Sequence, residues 1–132
     1  GAGLDVITYG GPVTTGGSID GGDGSDTIVM TAAQANTATG TTTFAASVSN
    51  LEVLRISDAT NAAAGINMAN ADGINSVTLA NGVTGGTFPI TNALPGFTLT
   101  TNVLSSAVSS IALATDFSAA LYFYLEMVTS IV

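Results

Sequence analysis

The chain has 132 residues, enough for one domain with a real core, and is 46% hydrophobic with a formal net charge of −8 from nine acidic residues against one base, Arg55. An acidic chain without a basic patch repels nucleic-acid phosphate, which excludes DNA and RNA as partners. Without histidine, cysteine or lysine it cannot build Ser-His-Asp, Cys-His or Ser-Lys nucleophiles, Schiff bases or the usual zinc sites.

In chain order, the first informative stretch is GAGLDVIT, residues 1–8, and it gains meaning from the second, GGDGSDTIV, residues 21–29. The second matches the nonapeptide G-G-x-G-x-D-x-U-x at every fixed position: Gly21, Gly22, Gly24, Asp26 and the apolar Ile28. The first is the same nonapeptide without its leading glycine, with Gly1, Gly3, Asp5 and Ile7 on the second, fourth, sixth and eighth positions. Glycines at these positions let a tight turn aim carbonyl oxygens inward, Asp26 adds a carboxylate to that ring, and the last three residues run as a short strand that buries Ile28. Ca²⁺ takes about six to eight oxygens, so one turn supplies only part of a shell and a second must stack on it. Between the copies, residues 9–20 end in Ser18-Ile19-Asp20, a degenerate middle repeat whose Gly10-Gly11-Pro12-Val13 lacks the aspartate. Turns two repeats apart share one side of a two-strand roll. Asp5 and Asp26 are therefore expected on one edge.

Over residues 1–29 the chain resembles the RTX family, bacterial calcium-binding repeat proteins exported by type I secretion. The resemblance implies a parallel β-roll with Ca²⁺ between stacked turns, Asp5 and Asp26 as principal carboxylate ligands, Asp23 as a helper, and Gly22 and Gly24 as carbonyl donors; Asp20 is a weaker candidate. The alternative is that these are Gly/Asp turns of an ordinary β protein. The absence of cysteine fits an extracellular protein stiffened by calcium instead of disulfides. The chain opens in mid-repeat, as a piece of a longer protein does.

Residues 31–40 are alanine-rich, and Thr31 with Gln34 has capping-box spacing, which leaves a short helix and a loop both open. From Phe44 onward, short apolar runs are punctuated by Asn, Asp, Gly and Pro. One series of runs starts at Leu51, Ile74 and Phe97, a constant step, and follows the turn signals Ser49-Asn50, Asp72-Gly73 and Pro95-Gly96. A second series, starting at Ile66 and Phe88, interleaves with it at nearly the same step. Two short strands per period of roughly 22 residues is the pattern of a β-solenoid, with an Ig-like or jelly-roll sandwich as the rival. The phase is imperfect, since Thr100 and Asn102 do not continue the apolar columns. Pro89 suggests a coil edge or bulge.

The expected fold is therefore all-β: a parallel β-roll or β-solenoid, with residues 1–30 as calcium-binding turns and residues 31–132 as a Thr/Ala/Asn-rich assembly region continuous with them. Residues 73–115 carry no charge, which suits packing against copies of itself. Phrases such as FAASVSNLEVLRISDA, residues 44–59, and ADGINSVTLANG, residues 71–82, resemble bacterial surface-layer proteins and type I secreted adhesins. Residues 116–126, with two of the three tyrosines, read as an apolar cap, as a strand or a helix, or as part of a C-terminal secretion signal. Residues 103–132, the longest apolar stretch, are interrupted by Asp116 and Glu126, so no membrane span is expected.

Two-carboxylate glycoside chemistry is the one enzymatic route left. Glu52 alternates along a strand beside Arg55, as on a solvated face, so the chain reads as non-enzymatic. The expected function is a secreted, calcium-stabilised structural protein of the bacterial surface that assembles with itself as a layer, sheath or fibre. The alternatives are an RTX adhesin module that binds a cell-surface glycan or ice, with Thr41-Thr43 and Thr98-Thr100 as hydroxyl rows, and the calcium-roll tail of a larger secreted hydrolase.

Overall fold

The structure is a computed structural model that describes residues 1–13, 16–60, 64–71, 73–102, 109–113, 120–123 and 130–131. In chain order its strands are β1 (Ala2–Gly3), β2 (Val6–Thr8), β3 (Ile19–Asp20), β4 (Asp23–Gly24), β5 (Thr27–Met30), β6 (Val48–Ser49), β7 (Val53–Ile56), β8 (Ile66–Asn67), β9 (Ser76–Leu79), β10 (Gly86–Thr91), β11 (Thr98–Thr101), β12 (Ser109–Leu113), β13 (Ala120–Phe123) and β14 (Ser130–Ile131). Two helices, α1 (Ala32–Thr39) and α2 (Thr42–Ser47), lie between β5 and β6, and a 3-10 turn, Met68–Asn70, follows β8. The fold is thus β-rich with a helical insertion, not strictly all-β.

Every pairing among the described strands is parallel. One ladder has six strands in the order β2, β5, β7, β9, β11, β13; a second has four, β8, β10, β12, β14; β1–β4 and β3–β6 form two-stranded ladders. From β7 onward the chain alternates between the two large ladders, so each circuit lays one strand on each. Circuit length follows from the six-stranded register, in which Ile7, Ile28, Leu54, Val77, Leu99 and Leu121 are successive partners. The step is longest from Ile28 to Leu54, where the helices intervene, and shortens again after Val77. The imperfect phase read from the sequence is this change of length. Leu99 continues the column below Val77, whereas repeating the step from Leu54 to Val77 points to Thr100.

Side chains alternate across each strand, and this builds the core. On the inward face, Ile28, Leu54, Val77 and Leu99 form one column and Met30, Ile56 and Leu79 a second, all fully or almost fully buried. Opposite them stand Ile66, Phe88 and Ile90. Burying one such side chain stabilises the fold by about 1.5–3 kcal/mol. The outward faces of the same strands carry Thr27, Val29, Val53, Arg55, Ser76, Thr78, Thr98 and Thr100.

Two strand readings shift. Leu51 and Ile74 are buried at the corners before β7 and β9 instead of inside the strands. Ile66 pairs with Ile90, not with Phe88. Pro89 lies within β10 but is strand-paired on one side only, with Ala112 of β12, because β8 begins at Ile66; on the open, edge-like side its neighbour is Gly65, on which a Cβ would come 2.8 Å from the proline ring. The turns hold where described: Asn50, Gly73 and Gly96 take the left-handed conformation at φ 52°, 80° and 88°. Asp72 lies outside the described residues, as do residues 116–119 and 124–126 of the apolar cap; Ala120–Phe123 is a strand paired with β11.

The open choice over residues 31–40 resolves as helix. Thr31 caps α1, its hydroxyl accepting from Gln34 N at 3.2 Å while Gln34 Oε1 accepts from Thr31 N at 2.8 Å. Helix α1 then shields the outer edge of β8: Thr39 Oγ1 accepts from Asn67 N (3.1 Å) and Asn36 Nδ2 donates to Gly65 O (3.1 Å). Tyr9 packs edge-on against Phe44 of α2, ring centres 6.0 Å apart, and its burial raises the phenol's pKa above the ordinary value.

Candidate metal centre

The two nonapeptide turns stack in register. In the β1–β4 ladder Ala2 lies beside Asp23 and Gly3 beside Gly24, and in the β2–β5 pair Ile7 lies beside Ile28. The approach is close enough that a side chain on the upper turn has nowhere to go. A Cβ on Gly22, at φ 96°, would strike the Gly1 carbonyl, and one on Gly24, at φ 138°, the Gly3 carbonyl. The backbone bonds Asp23 N to Gly1 O at 3.0 Å and Thr27 N to Asp5 O at 2.8 Å close the step.

Asp5 and Asp26 come together as the phase of the repeats implies. Asp5 N donates to Asp26 Oδ1 at 2.8 Å, while the Gly1 nitrogen lies 3.1 Å from Asp5 Oδ2. Asp26 is completely buried, and among the described residues its second oxygen, Oδ2, accepts no hydrogen bond. A buried carboxylate oxygen without a donor costs on the order of 1–3 kcal/mol or more, so a cation or an ordered water is the natural partner. That orphaned oxygen fits an oxygen-seeking ion such as Ca²⁺.

The remaining candidates fare differently. Asp23 is exposed, and among the described contacts it acts through its backbone. Gly22 and Gly24 are where the close approach of the turns requires glycine, packed against the carbonyls of Gly1 and Gly3, and Gly1 O already accepts from Asp23 N. Asp20 Oδ1 is engaged by Asn50 Nδ2 at 2.8 Å and Gly22 N at 3.1 Å, and these bonds hold its carboxyl below the usual range. Among the described residues, no three acidic side chains converge as a metal cluster, so any ion here would rely on carbonyls beside the carboxylates.

Glu52 carries a contact that its sequence context hid. Its Oε2 accepts from Asp26 N at 2.8 Å, one circuit beyond the Asp5–Asp26 bond and with the same logic. Asp5, Asp26 and Glu52 thus precede paired strands β2, β5 and β7 as one column of carboxylates. Neighbouring charges one strand spacing apart, roughly 5 Å, repel by about 3 kcal/mol at an effective dielectric of about 20. Solvent screens this at Asp5, whose side chain is 44% exposed. Arg55 is exposed and makes no ion pair among the described residues, so Glu52 does not face solvent as Arg55's partner.

Compared with protein-family models, curated proteins and solved structures, the chain matches none. Among the described residues no helix is long and apolar enough to cross a membrane.

Proposed function

We propose that the chain is a non-enzymatic structural protein of the bacterial exterior: a parallel β-solenoid with RTX-like turns that bind Ca²⁺ at one end and circuits that assemble with copies of itself as a surface layer, sheath or fibre. The observation that carries this reading is Asp26, wholly buried in a turn stacked on its own repeat, with Oδ1 on the Asp5 amide and Oδ2 without a donor among the described residues. A cation that binds only the stacked turns stabilises the folded state by mass action. Extracellular calcium modules work with Kd near 10⁻⁴–10⁻³ M, roughly the calcium level outside a cell. The chain would thus stay unfolded for type I-like export and fold after it. Self-assembly is supported by residues 73–115, which hold β9, β10, β11 and β12 and have no charge to keep strand edges from neighbouring copies.

The test is size-exclusion chromatography and electron microscopy of the purified chain in chelator and then in millimolar Ca²⁺. Calcium is expected to convert a monomer into ordered sheets or filaments, and Asp26→Ala to abolish the conversion. Indifference to calcium would overturn the reading.

One observation favours a ligand-binding module instead. Ser76 and Thr78 lie in register with Thr98 and Thr100 on the outward face, a flat two-by-two array of hydroxyls suited to a glycan. Thr41 and Thr43 do not extend it, since they cap and enter α2. A chain that binds calcium, stays monomeric and is retained on a glycan surface through Thr98 and Thr100 belongs to this second class.

A further inference from the structure

We infer that Glu52 is a calcium ligand and that a cation site lies between the second and third circuits, beyond the stacked nonapeptides. This rests on the calcium reading above and extends it to a turn without the repeat: Asn50-Leu51-Glu52 has neither the glycines nor the aspartate of the motif. Three observations lead there.

The first is the direction of Asp26. Oδ1 turns to the first circuit, where Asp5 N holds it; Oδ2 lies on the side of Gly21. A Cβ built on Gly21 would come 2.7 Å from Oδ2 and would collide with the carbonyl of Asn50, which belongs to the third circuit. Two acceptor oxygens therefore flank one point, and neither can donate to the other. The orphaned oxygen is therefore also open to the step toward the third circuit, which the repeats do not announce.

The second is that Glu52 repeats the role of Asp26 one circuit on. Each carboxylate uses one oxygen to accept the amide of the acidic residue below it, at 2.8 Å in both cases. Glu52 N and Val53 N both donate to Asp26 O, at 3.1 and 3.0 Å, which fixes the third turn tightly over the second. The third is charge. Two carboxylates are held a circuit apart, with Arg55 exposed and in no described ion pair with either. Asp26, Glu52 and the Asn50 carbonyl are an oxygen-only set, the chemistry that a hard divalent cation selects.

The experiment uses the whole chain and calcium itself. Ion count and affinity are measured by equilibrium dialysis and titration calorimetry for the wild type, Asp5→Asn and Glu52→Gln, with circular dichroism of each in chelator and in calcium. Glu52→Gln keeps an acceptor for Asp26 N but removes the charge. It is expected to bind one ion fewer, or one ion at least tenfold more weakly, while Asp5→Asn keeps the Glu52-dependent ion. An unchanged count and affinity in Glu52→Gln overturns the inference and leaves the calcium reading intact; no calcium bound by the wild type overturns both. Should Glu52→Gln not fold, the carboxyl ¹³C resonances of the wild type decide. Glu52 is expected to shift with Asp26 at the same calcium midpoint, and an unmoved Glu52 resonance sinks the proposal.

Discussion

At Gly24 the need for glycine comes from two directions at once. The backbone sits at φ 138°, where a residue with a Cβ is strained, and the space a Cβ would take is occupied by the carbonyl of Gly3. Gly24→Ala is therefore expected to cost roughly 1–3 kcal/mol from the backbone strain alone, with a weaker calcium affinity as the two circuits are forced apart. Urea unfolding in chelator and in calcium measures both, and a loss below about 0.5 kcal/mol would show that the turn relaxes freely. The same residue scale sets what the sequence reveals of the site. Asp5 and Asp26 share a spacing to their glycines, so their meeting is legible. Glu52 and Asn50 share no spacing with anything, because the circuit that brings them back to Asp26 is the longest of the ladder and includes two helices. Only the path of the chain reveals them.

Helix α1 is half-visible in the sequence, and the reason is a single pair of side chains. Thr31 and Gln34 satisfy each other's backbone amides, a signal that survives in sequence. Helix α2 lacks it. Thr41 makes no capping bond, and Thr42, Thr43 and Phe44 are weak helix formers, so tertiary contacts such as Phe44 against Tyr9 must hold it. The strands are legible as apolar runs, whereas their register is not, since one residue more or less in a corner moves the whole column. Because α1 bonds the outer edge of β8, its cap guards more than the helix. Thr31→Ala is expected to destabilise by about 1 kcal/mol and to speed amide exchange at Asn67, whose N–H donates to Thr39. Hydrogen exchange followed residue by residue checks this; an unchanged rate at Asn67 would mean that the edge is protected without the helix.

For the whole molecule, the charge of −8 concentrates its acids toward the first turns, with Asp5, Asp20, Asp23 and Asp26 all ahead of β5. Folding draws three carboxylates into one column, and a cation bound among them would offset their mutual repulsion. One ion at about a hundred times its Kd adds about 2.7 kcal/mol, so chelation is expected to lower the Tm by several degrees. Calorimetry with and without chelator reads this directly, and equal melting curves would remove calcium from the account of stability. The parallel ladders also have a mechanical meaning. Their backbone bonds run from each circuit to the circuits beside it, so they lie in series along one axis. Pulled apart along that axis, the molecule shares no load among its circuits: the weakest step opens, the next follows, and the force stays low while the length grows. Pulled along the strands, many bonds must slide together and the resistance is high. A cation held between two stacked turns would act as a rivet against such peeling, and its removal would turn a fastened step into a loose one.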